Sequence, residues 1–158
     1  MSAKWWGWRG DGEVPVSRLY TSALVAHVLV AVLGLGSIAS LAIVASAGRR
    51  AGRGSSGVLT SLGPLLRYSG FSLGAMLATG ILLGLTSAGA VHEAGWFRAS
   101  VLLLVATGIL HGQARRVVRR GGAEGQSGDL VLRRVERIAY GMCALIGVIA
   151  ALMEVKPF

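Results

Sequence analysis

Between Leu19 and Gly48 the chain carries no Asp, Glu, Lys or Arg, and His27 is the one histidine in that run. Crossing the hydrocarbon of a bilayer takes about 20 apolar residues, with a range of about 17–25, so this segment is long enough to span. Three further charge-free runs follow: Tyr68 to Val91, Ala99 to Ala114, which contains His111, and Ile138 to Met153. The last two reach about 24 Å at a rise of about 1.5 Å per residue. Flanking arginines can snorkel, and Trp96 and Phe97 extend the third run at its start. A soluble bundle would show a polar face at the helical period, and these runs show none. Backbone groups in lipid must be bonded internally, and long apolar runs do this as helices rather than as barrel strands. The expected fold is an all-α, integral membrane four-helix bundle. An outer N-terminal tail, 1–18, precedes a membrane domain, 19–158, with spans near 19–48, 68–91, 97–115 and 138–155.

The chain is 53% hydrophobic and only 15% charged, yet its formal charge is +9. It is too apolar for a disordered basic tail, and a single cysteine, Cys143, excludes a disulfide scaffold or a multi-cysteine zinc site. Eleven of the 16 Lys and Arg fall in the connections after the first and third spans. The expected location is the cell inner membrane, multi-pass, and the positive-inside rule places both basic connections in the cytoplasm and both termini on the periplasmic side. Arginines beside a span attract anionic lipid at about 1 kcal/mol each. No aromatic residues interleave the basic runs to stack on bases, so nucleic acid is not an expected partner. Ala45-Ser46-Ala47 matches a signal-cleavage pattern, but the run before it is far longer than a signal peptide's apolar core. Trp5, Trp6 and Trp8 suit the headgroup layer. Gly121–Gly128 reads as a flexible linker, and Asp129–Arg137 as either a short interfacial helix or a solvated loop.

Small residues let helices approach closely where lipid gives no hydrophobic drive for association. Candidate packing positions are Gly34 and Gly36 in the first span, and Gly70, Gly74, Gly80 and Gly84 in the second. In the fourth, Tyr140, Ala144, Gly147, Ala151 and Glu154 fall on one stripe. Packing within the chain is the expected use, with association with itself or with other membrane subunits as the alternative.

Ionisable residues inside a membrane are functional candidates by default, which singles out His27 and His111. If both helices are measured from their outer entry points, the two lie about 12 and 18 Å deep, close enough for tilt and side-chain reach to bring them to one metal or haem. If Arg49 marks the inner interface, His27 lies about 33 Å from that face. It would then approach His92 and Glu93 in the connection after the second span, an imidazole–carboxylate set suited to a metal such as copper. Cys143 reads as a small packing residue. No GxSxG, P-loop, HExxH or CxxC motif occurs, and the residues leave open whether the protein is an enzyme.

Three segments resemble a known group. The first span reads LVAHVLVAVLGLGS, the third GWFRASVLLLVATGILHG, and the C-terminus EVKPF. These resemble the protoporphyrinogen oxidase-like HemJ proteins and the CopD copper-resistance domain, over roughly residues 19–158. His27 matches the family's first-helix histidine and His111 its late third-helix histidine, while Ser100 stands where the family has a lysine. The resemblance implies a four-helix membrane bundle. For HemJ-like members it implies b-haem held through His27 and oxidation of protoporphyrinogen IX, and for CopD-like members copper handling. A bundle with no cofactor, serving as an accessory or assembly subunit, is the remaining expectation.

Overall fold

A computed structural model describes residues 18–52, 56–86, 95–123 and 127–155. They form four helices, α1 (Arg18–Arg50), α2 (Ser56–Thr86), α3 (Gly95–Ala123) and α4 (Gly128–Val155), with no strand among the described residues. Each is long and apolar enough to cross a membrane, and the fold is the expected all-α bundle. Short connections make neighbours antiparallel. α1 packs broadly against α2 and α4, and α3 against α4. The α2–α3 seam is thinner, and α1 and α3 lie diagonally opposite. Leu29, Val32, Ile43, Phe71, Leu102, Ile109 and Val148 stand exposed around the outside. A soluble monomer rarely tolerates so much contiguous apolar surface, whereas lipid tails accept it.

The helices outrun the charge-free stretches. α2 begins at Ser56 instead of near Tyr68, carrying Pro64 and Arg67 inside it. α3 continues to Ala123 through Arg115, Arg116, Arg119 and Arg120, and α4 takes in Asp129–Arg137 as its opening turns. Arginine is a good helix former, so charge marks where hydrocarbon ends, not where the helix does. Gly121–Ala123, read as linker, is the last turn of α3, and a Cβ on Gly121 would strike Val131 of α4, so glycine allows the close approach there. α1 ends at Arg50, and two residues on, Gly52 has a φ of 63°, the left-handed conformation typical just beyond a helix end.

The tightest packing lies toward the arginine-rich end. Ile38 and Leu41 of α1, Leu62 of α2, and Val131, Leu132, Val135 and Met142 of α4 are almost wholly buried there. At Gly48 a Cβ would come within 2.7 Å of Val58, so α1 and α2 nearly touch. Across the same end Arg49 Nε donates to Glu136 Oε2 at 2.6 Å and Arg49 Nη2 to Oε1 at 3.3 Å. This two-pronged pair ties the end of α1 to α4, and lysine cannot reproduce its geometry. We expect Arg49→Lys, Arg49→Ala and Glu136→Ala each to lower the thermal midpoint of the purified protein. The Arg49→Ala/Glu136→Ala double variant should fall no further than the worse single one, because both remove one interaction. Additive losses would show that the two side chains act independently.

The small-residue stripe of α4 requires a correction. Tyr140, Ala144, Gly147, Ala151 and Glu154 all face outward. The buried face is Val131, Leu132, Val135, Ala139, Met142, Ile146 and Ile149, so α4 enters the bundle by its large residues. Gly36, Gly74 and Gly147 likewise meet open space and are not close-packing positions within the chain. Gly34 is one: a Cβ there would lie 3.3 Å from the Ser72 hydroxyl.

Candidate functional site

Toward the terminal end the bundle loosens. Most of α1 from Leu24 to Leu33 is exposed or half-buried, and α2 presents Gly80 and Gly84 to its neighbours. The result is a cavity of about 440 Å³, within the about 300–1,000 Å³ usual for small-molecule sites. Its walls are apolar, including Leu77, Leu104, Ile149 and Met153, with Tyr20, His27, Trp96 and Ser100 supplying the polar atoms. Trp96 and Phe97 meet edge to face, ring centres 6.1 Å apart.

His27 is held by α2. Its Nδ1 lies 2.8 Å from Thr79 Oγ1, and the Thr79 hydroxyl itself donates to Ala75 O at 2.8 Å. A hydroxyl has one proton to give. With that proton on the helix backbone, Thr79 can only accept from the ring, so Nδ1 carries the imidazole hydrogen. Nε2 keeps its lone pair, has no hydrogen-bond partner among the described residues, and belongs to a side chain that lines the cavity. A ring nitrogen fixed as a donor to a neighbour, with the other left basic, is how metal-ligating histidines are prepared. Gly80, the next residue, leaves the ring room against α2; a Cβ there would lie 3.5 Å from His27 Cε1.

His111 has the opposite arrangement. Its Nε2 lies 2.9 Å from Leu66 O and 3.0 Å from Ser69 Oγ. A carbonyl oxygen can only accept, so Nε2 carries the hydrogen and Nδ1 the lone pair. The ring presses on α2 so closely that a Cβ on Gly70 would come within 2.8 Å of His111 Cε1. His111 is buried, 6% exposed.

The two histidines are not brought together. Their partners Ser69 and Thr79 lie ten residues apart on one helix, about 15 Å along its axis. Two imidazoles on one ion need their nitrogens about 4 Å apart, at metal–nitrogen bonds of about 2 Å. A single iron or copper shared by His27 and His111 does not fit this bundle. His92 and Glu93 lie outside the described residues. Among the described residues, no three His, Cys, Asp or Glu side chains cluster as metal ligands would. Ser100 lines the His27 cavity, but its hydroxyl donates to Trp96 O at 2.9 Å on its own helix.

Nothing in the pattern of apolar runs marks Ser69 or Thr79; the sequence signal they do carry is a hydroxyl–glycine dipeptide repeated ten residues apart, Ser69-Gly70 and Thr79-Gly80. In each, the hydroxyl meets a histidine ring nitrogen and the glycine leaves space for the ring.

No protein-family model, curated protein or solved structure matches the chain.

Proposed function

We propose that the protein is a membrane redox protein that holds b-haem in the terminal-end cavity, where His27 Nε2 would ligate the iron. One observation carries the reading: Nδ1 is committed to Thr79 while Nε2 keeps a free lone pair beside an apolar cavity. The resemblance of the first and third spans to HemJ-like proteins supports it as well. Haem iron supplies one-electron chemistry when bound. The chain's own part would be to fix the imidazole through Thr79 and to supply an apolar lining that includes Trp96 and Phe97. The arginine-rich end is assigned to the cytoplasm, against anionic lipid, which leaves the His27 cavity in the outer half of the membrane.

Detergent-purified protein supplemented with haem is expected to show a Soret band. Thr79→Val should weaken haem retention about 10–100-fold, the usual effect of removing the group that orients a ligating histidine. Absence of a Soret band after supplementation would overturn the reading. A copper-handling role through His27, His92 and Glu93 predicts instead that copper copurifies and haem does not.

A second reading rests on the outward face of α4. Ala144, Gly147 and Ala151 stand exposed there, and small residues on a lipid-facing helix favour contact with another membrane helix. On this reading the protein also packs against a further subunit. Gly147→Leu would then abolish cross-linking in membranes while leaving any Soret band unchanged; unaltered cross-linking would exclude it.

A further inference from the structure

The thin seam between α2 and α3 encloses a groove of about 280 Å³, lined by Gly70, Leu73, Gly74, Leu104, Gly108 and His111. We propose that this groove binds one chain of a hydroxyl-bearing membrane amphiphile, with the hydroxyl donating to His111 Nδ1. This site is separate from whatever His27 holds and does not rest on the haem reading.

Four observations converge on that occupant. His111 is more than nine-tenths buried and lines the groove. Leu66 O occupies Nε2, and Nδ1 has no partner among the described residues, which leaves an acceptor in an otherwise apolar channel. No buried side-chain nitrogen or oxygen among the described residues lacks a partner, so Nδ1 is open to the groove, where a ligand hydroxyl can donate to it and a carbonyl or ether oxygen cannot.

The groove follows α2 from Gly70 to Leu77, about 10 Å. A single hydrocarbon chain suits the space. Gly74 and Gly108 keep it open, since a Cβ at either would meet nothing within 4 Å.

Depth fits an amphiphile. His111 sits beside Ser69 and Gly70, next along α2 from Arg67 and Tyr68, both exposed. Arg115 is one turn further along α3 and exposed as well. Basic and aromatic side chains together mark the membrane interface, so a hydroxyl at His111 lies near headgroup level. From there the groove runs inward along α2, and Leu77 and Leu104 line both it and the separate, larger cavity. The chain enters from the arginine-rich face and points toward the His27 cavity.

Photo-cross-linking in lipid nanodiscs tests the proposal. The probes are a long-chain primary alcohol carrying a mid-chain diazirine and its methyl ether, which has the same shape and no donor. The alcohol is expected to label peptides containing Gly70–Leu77 and Gly108 about five- to tenfold more than the ether, the worth of one hydrogen bond within a membrane. Gly108→Leu, which fills open space and touches none of the His111 bonds, should reduce alcohol labelling to the ether's level. Equal labelling by both probes, labelling untouched by Gly108→Leu, or a groove shielded from both by a second copy of the chain would each overturn it. A Soret band that persists in Gly108→Leu separates this outcome from failure of the haem reading.

Discussion

Gly70→Ala and Gly74→Ala, one helical turn apart on α2, are expected to move stability in opposite directions. Alanine in a helix interior is favoured over glycine by roughly 0.5–1 kcal/mol. At Gly74 nothing opposes that gain, because the new methyl meets open space. At Gly70 the methyl arrives 2.8 Å from His111 Cε1, and the ring cannot withdraw freely. Its Nε2 is bonded to Leu66 O, one turn before Gly70 on the same helix, so backing away from the methyl means leaving that carbonyl. Overpacking costs about 1–3 kcal/mol, and loss of an interhelical hydrogen bond in a membrane adds about 0.6–2 kcal/mol. Gly70→Ala should therefore destabilise the bundle by about 1–4 kcal/mol after the helix gain. In a His111→Ala background Gly70→Ala should lose its destabilising effect, because the three atoms nearest the new methyl all belong to His111. Denaturation in detergent, followed by tryptophan fluorescence, reads wild type, the three single variants and the double variant. Equal effects at Gly70 and Gly74, or an undiminished loss from Gly70→Ala in the His111→Ala background, would show that His111 does not rest on Gly70.

That pair of glycines also shows what the sequence could and could not carry. Gly70-x-x-x-Gly74 reads as one packing motif, but only Gly70 is a close approach, because the spacing names a stripe without saying where along it a neighbour sits. The same limit applies to α4, whose small stripe faces away from the bundle while Met142 and Ile146 fill it. The spans themselves were legible, since hydrocarbon admits few unpaired charges. Helix length was not, since the arginines that end the apolar runs continue the helices. His27 and His111 stood out as the ionisable groups within the spans.

Their partners did not stand out. Hydroxyls in apolar helices commonly bond back to their own backbone, as Ser37, Ser40, Ser61 and Ser100 do here. Thr79 does so too, and that self-bond is what turns it into an acceptor for His27. The relative depth of the two histidines also needed the structure. Helix length allowed either a shared site or a separation, and the register of α1 and α3 against α2 gives the separation of about 15 Å.

The second large effect concerns His27. Removing its imidazole deletes the one nitrogen in the terminal-end cavity that is both oriented by a second residue and left with a lone pair, so His27→Ala should abolish haem binding instead of weakening it. Thr79→Val, which keeps the ring and loses its orientation, should fall between wild type and His27→Ala. His111→Ala should leave the haem spectrum in place, because its Nδ1 lies in another channel about 15 Å along α2. The decisive measurement is the visible absorption spectrum of purified, haem-supplemented wild type beside His27→Ala and His111→Ala. The account predicts a Soret band in wild type and in His111→Ala and none in His27→Ala. A band that survives His27→Ala, or one that disappears only in His111→Ala, would contradict it.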